Sequence, residues 1–190
     1  MQRRVFVSSP KGVSIRSRRD RLAGTAVALL VATASPAVAH ITAHPASGEA
    51  DNFFETKFQV PHGCDGSATV AVRIKIPDGV TNVKAQMKPG WSVSIKNRKL
   101  DPPRQGDGGQ VLTETLDEVD WRGGPLPDNL YDEFGLVMKL PAAAGATLYF
   151  PVVQECESGI HRWIDIPAAG QNWSAVREPA PFVTVTAPKS

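Results

Sequence analysis

The sequence predicts an all-β fold, a sandwich or barrel of short strands, from three observations. Apolar and polar residues alternate with a period of two along several runs, as strands buried on one face do. Turns bearing proline and glycine break these runs at short intervals, the spacing of many-stranded sandwiches and barrels. After residue 39, no ten-residue stretch carries a clear helical stripe of apolar residues.

Before the strands comes a leader. Arg3, Arg4, Lys11, Arg16, Arg18, Arg19 and Arg21 form a basic region, and Leu22 to Val31 an apolar one. That apolar run is shorter than the roughly 20 residues needed to span a bilayer. Small residues lead to Ala37-Val38-Ala39-His40, a pattern that fits secretory cleavage after Ala39. Ser17-Arg18-Arg19 matches the start of a twin-arginine signal, but Arg21 stands where that signal takes an apolar residue. The expected division is a cleaved signal peptide over 1–39 and one domain over 40–190. Removing the leader's seven basic and one acidic residues from the chain's 21 and 19 leaves 14 and 18, a net charge of −4. The mature part therefore has no basic face for nucleic acid. No later apolar stretch is long enough to serve as a membrane anchor. The expected location is the periplasm or another exported compartment.

The strands follow in order. Phe54, Thr56, Phe58 and Val60 alternate with Phe53, Glu55, Lys57 and Gln59, so one set faces a core and the other leaves it. Pro61-His62-Gly63 turns the chain. Val70, Val72, Ile74 and Ile76 form the next strand, ended by Pro77-Asp78-Gly79. Lys88-Pro89-Gly90 introduces a third set, Trp91, Val93 and Ile95, and Gln105 to Gln110 reads as a hairpin tip. Further strands are expected at 111–121, 133–140, 147–156, 162–166 and 182–186, with a turn from Pro141 to Gly145.

Cys64 and Cys156 are the only cysteines. An even count in an exported chain favours a disulfide over free or metal-bound thiols. Cys156 and His161 offer half of a blue-copper loop, but no methionine follows them. The sequence has no Gly-x-Ser-x-Gly elbow, phosphate-cradling glycine loop or His-Glu-x-x-His motif, so a hydrolase finds little support.

The histidines are His40, His44, His62 and His161. Pro45 biases His44 toward extended backbone, which argues against a helical i,i+4 metal pair with His40. Cleavage after Ala39 would give His40 two donors at once, its α-amine and its imidazole. Nitrogen and oxygen donors in tetragonal geometry suit Cu(II). An unperturbed α-amine titrates at about 7.7–8, so proton competition at neutral pH is mild. Chance placement of a histidine at the junction is the plain alternative.

Beyond the junction, the chain resembles the YcnI-like family of exported copper-binding proteins. The blocks that carry the resemblance begin with His40-Ile41-Thr42, Asn52-Phe53-Phe54-Glu55-Thr56-Lys57-Phe58 and Val60-Pro61-His62-Gly63-Cys64. Ile76-Pro77-Asp78-Gly79-Val80, Lys88-Pro89-Gly90-Trp91 and Asp132-Glu133-Phe134-Gly135 follow. Leu148-Tyr149-Phe150-Pro151 and His161-Arg162-Trp163-Ile164 complete the series.

This resemblance implies an immunoglobulin-like β-sandwich that binds one Cu(II) through a single-histidine brace. By position, His40 supplies the amine and imidazole, Glu55 a carboxylate oxygen with Glu49 and Asp51 as substitutes, and Trp163 lies beside the metal. The implied role is holding or delivering copper, not catalysis, with another periplasmic or membrane copper-handling protein as partner. Two rivals remain: a copper oxidase or monooxygenase, in which His62 or His161 approaches His40, and a metal-free adhesion or scaffold sandwich.

Overall fold

A computed structural model describes residues 39–106 and 108–189. The expected signal peptide therefore lies, apart from Ala39, outside the described residues. Twelve strands form in this order: β1 Thr42–His44, β2 Ser47–Glu49, β3 Phe53–Val60, β4 Thr69–Lys75, β5 Thr81–Ala85, β6 Trp91–Gln105, β7 Val111–Leu126, β8 Asp132–Lys139, β9 Thr147–Tyr149, β10 Val152–Cys156, β11 Ile160–Trp163 and β12 Phe182–Thr186. The helical content of the described residues is one short 3-10 turn, Trp173–Ala175.

A four-stranded sheet has the order β1-β3-β8-β5, and a five-stranded sheet the order β11-β10-β4-β7-β6. A smaller sheet, β2-β12-β9, accompanies them. The alternation in the sequence becomes the core. Thr56, Phe58 and Val60 are buried on β3, as are Val72 and Ile74 on β4. Phe134, Leu136 and Met138 from β8 join the same cluster as Val119 and Trp121 from β7. Trp121 meets Phe134 edge-on at 5.5 Å between ring centroids. The inner faces of the two larger sheets thus close on each other as a β-sandwich.

Three details differ from the sequence expectation. The strand expected at 147–156 divides at Phe150-Pro151, because proline has no N–H to continue a ladder. Its first part pairs with β12, and its second lies between β4 and β11. β1, β2 and β5 are three to five residues long, too short to display a period on their own. β6 and β7 form a long hairpin, and Ile95 is 57% exposed despite its apolar phase because it lies on β6, the edge strand of its sheet, opposite buried Val119.

Cys64 and Cys156 are bonded to each other, across a sequence separation of 92. The bridge suits an oxidising compartment outside the cytoplasm. It also removes the Cys156 thiolate that a blue-copper site would need. Among the described residues, no helix is long and apolar enough to cross a membrane.

Candidate metal centre

Three elements meet at one end of the sandwich: the segment entering β1, the turn after β3, and the β10–β11 hairpin. Each brings a histidine. His40 precedes β1, His62 follows β3, and His161 lies on β11. Trp163, also on β11, sits among them and is fully buried.

The His40 ring is half-buried between two indoles. It meets Trp163 edge-on at 5.7 Å and Trp173 at 5.3 Å between centroids. Trp173 is fixed by its own Nε1–H, which donates to the Ala180 carbonyl at 2.7 Å. The turn carrying it is capped by Asn172, whose side chain accepts from the Ser174 N–H at 3.0 Å. Burial, and secondarily the nearby His62, hold the His40 imidazole below the usual histidine range. That favours the neutral ring, the form able to ligate a metal.

The shift has a measurable consequence. In an NMR pH titration, the His40 ring is expected to protonate below the ordinary value of 6.5. As pH falls through 6.5, the unfolded chain takes up this proton before the folded one does. His40 therefore costs stability as pH drops from 6.5 toward its own lowered value, and the cost disappears above that window.

Gln154 ties the site to the core. It is fully buried on β10. Its Oε1 accepts from Trp163 Nε1–H at 3.0 Å, and its Nε2–H donates to the His62 carbonyl at 2.7 Å and to Thr69 Oγ1 at 2.8 Å. One amide thus places the indole and the turn that carries His62. A buried amide with these partners has its polar groups satisfied. His161 is held from behind, its Nδ1 lying 2.8 Å from Glu178 Oε1. Its ring lies 5.1 Å from Trp163 and 6.0 Å from His62.

The two side chains expected beside each other, His40 and Trp163, are brought together. Glu55 is not brought to them. β1 pairs antiparallel with β3, with Thr42 opposite Gln59 and His44 opposite Lys57. Following the chain back from Thr42 to His40 therefore leads past Val60, whereas Glu55 lies four residues from Gln59 in the other direction. At about 3.3 Å per residue, the two levels differ by about 20 Å. Glu55 is exposed and opposite Val137 on β8. The substitute carboxylates are engaged with lysines, Asp51 with Lys139 at 3.0 Å and Glu49 with Lys189 at 3.9 Å. Among the described residues, no three histidine, cysteine, aspartate or glutamate side chains group closely enough to hold a metal by themselves. A metal here needs the His40 backbone nitrogen as well.

Trp173, Gln154 and Glu178 were not legible as site residues. They come from a late loop and from the buried face of a strand, and no motif marks them. The approach of His62 to His161 did leave a signal. Cys64 follows His62 by two residues, and Cys156 precedes His161 by five, so a disulfide between them draws both histidines to one place.

Fold and cluster together define the class: an immunoglobulin-like β-sandwich with a histidine–tryptophan cluster where its first strand begins. A solved structure from Nocardia farcinica, described as an uncharacterized protein with an immunoglobulin-like fold, is similar with a TM-score of 0.58 and 23% identity. The likeness covers 77% of this chain and 98% of that one. The chain belongs to the family described as Domain of unknown function (DUF1775), whose model matches residues 40–185, and which includes the YcnI proteins. A search of curated proteins finds no match. The family match starts at His40, the residue expected to begin the mature chain.

Proposed function

We propose that the mature protein begins at His40, resides in the periplasm or an equivalent exported space, and binds one Cu(II) as cargo. The observation that carries this reading is the seating of the His40 ring between Trp163 and Trp173. The imidazole is held in place, and the backbone nitrogen of the same residue would become an amine on cleavage after Ala39. The two indoles cover part of the ring, and an indole near a bound metal would favour its charge.

The donor chemistry fits the oxidised ion. Both cysteines are in the disulfide, Met138 is buried in the core, and Met87 is exposed in the segment before β6. The cluster thus offers imidazole nitrogen and no thiolate or thioether, which suits Cu(II) over Cu(I). The role is holding copper or passing it to another copper-handling protein, without turnover.

The test is a Cu(II) titration of protein beginning at His40. One equivalent binds. Binding is lost in His40→Ala and when a single residue is left in front of His40, which converts the amine to an amide. Unchanged binding in both variants overturns the proposal. The nearness of His62 favours a second reading, a copper oxidase or monooxygenase. Reductant- or peroxide-dependent turnover by the Cu(II)-loaded protein distinguishes that reading from a carrier.

A further inference from the structure

We propose that His62 is a second histidine ligand of this site, and that its Nε2 exchanges the Ala39 carbonyl of the precursor for the metal held by His40 in the mature protein. This inference rests on the reading of His40 as a Cu(II) chelate.

His62 is held from three sides. Its carbonyl accepts from buried Gln154 at 2.7 Å. Two residues on, Cys64 is tied to Cys156. Between them, Gly63 packs so closely that a Cβ there would collide with the Ser67 carbonyl oxygen. The imidazole therefore leaves a fixed backbone.

The ring is oriented as well. Nδ1 lies 2.6 Å from the Gly63 carbonyl oxygen. A carbonyl only accepts, so Nδ1 carries its hydrogen. Nε2, which also faces a carbonyl while Ala39 is in place, donates there too, and presents a lone pair to a metal only once that carbonyl is gone and the Nε2 proton has been released to water. Metal-binding histidines are commonly oriented in this way, with the remote N–H given to a backbone carbonyl.

Nε2 points to the junction. It lies 2.9 Å from the Ala39 carbonyl oxygen. That oxygen belongs to the peptide group whose nitrogen is His40 N, so peptide geometry puts His62 Nε2 within about 5 Å of that nitrogen. Two nitrogens facing each other across one metal, each at about 2 Å, are about 4 Å apart. Cleavage after Ala39 removes the carbonyl from His62 and makes His40 N an amine in the same step. The same cut thus creates one ligand and releases another. His161 is also oriented, its Nδ1 on Glu178, but its ring packs 5.1 Å from Trp163, and among the described residues it makes no hydrogen bond to the Ala39–His40 peptide, as His62 does.

The experiment uses protein beginning at His40, loaded with one equivalent of Cu(II), and reads the electron paramagnetic resonance spectrum and a competition titration. Three coordinated nitrogens are expected in the wild type and in His161→Ala. Two are expected in His62→Ala and His62→Gln. Affinity in the His62 variants should fall by about 100-fold or more, since removing a ligand should cost at least as much as the roughly 10–100-fold lost with an outer-shell partner. His62→Gln keeps a polar side chain if the alanine variant does not fold. If both His62 variants keep the wild-type spectrum and affinity while His40→Ala abolishes binding, the His62 role is overturned and the His40 chelate stands. Loss of a nitrogen in His161→Ala instead of the His62 variants overturns it equally. Failure of the wild type to take up Cu(II) overturns both.

Discussion

Trp163→Ala is expected to lower the free energy of unfolding by about 3–5 kcal/mol in chemical denaturation. The indole is fully buried at the end of β11 and belongs to the main core cluster. Truncating it leaves a cavity that a two-sheet core collapses into only partly. It also strips Gln154 Oε1 of its 3.0 Å donor. An orphaned buried acceptor adds about 1–3 kcal/mol where water does not replace the partner. Trp163→Phe separates the two costs. The phenyl ring keeps much of the volume but has no N–H, so its penalty should lie near the hydrogen-bond figure alone.

The same variants test whether Trp163 serves the site or only the core. Gln154 bonds both the indole and the His62 carbonyl, so disturbing one end disturbs the other. Trp163→Phe should therefore alter the NMR shifts of the His62 and His40 rings more than those of His44. The His44 Nε2 is engaged with Thr42 Oγ1 at 2.8 Å on β1, and His44 shares no hydrogen bond with Gln154.

The fold was legible where a strand is long enough to show its period. β3 is eight residues long and alternates as the sequence implies, whereas β4 keeps the expected phase only from Val72 onward: Thr69 and Ala71 are buried and Val70 half-buried, where its pairing with β7 shifts register. β1 and β2 have three residues each, and their existence follows from what they pair with, not from their own composition. The site divides on the same principle. His40 could be singled out as a candidate because the proposed chelate depends on a cleavage pattern, which is local. The strand motif containing Glu55 is equally local, but whether Glu55 reaches His40 depends on register. Antiparallel pairing of β1 with β3 sends the two apart. Trp173 and Glu178 come from the long connection between β11 and β12, whose course is set by tertiary contacts. One of these is the bridge between Asp165 and Pro179.

Removing the disulfide with the Cys64→Ser/Cys156→Ser pair should cost stability by a different physical route. The bridge joins residues separated by 92 positions, and the chain-entropy model assigns a loop of that length about 4–5 kcal/mol. Most of that cost falls on the unfolded chain, which gains freedom when the crosslink goes. The denaturant midpoint should therefore drop while the m-value rises, because a chain without the crosslink exposes more surface on unfolding. Trp163→Ala should lower the midpoint with little change in m, since it damages native packing. The bridge has a local consequence too. It anchors the His62 turn to the end of β10, where Cys156 N–H donates to the Gly159 carbonyl at 3.1 Å as the chain turns toward β11. In the serine pair at pH 7, the His62 and His161 rings should broaden or shift in NMR spectra well below the unfolding midpoint. Sharp, unshifted resonances would mean that Gln154 alone is sufficient to hold the turn, and that the disulfide acts only on the unfolded chain.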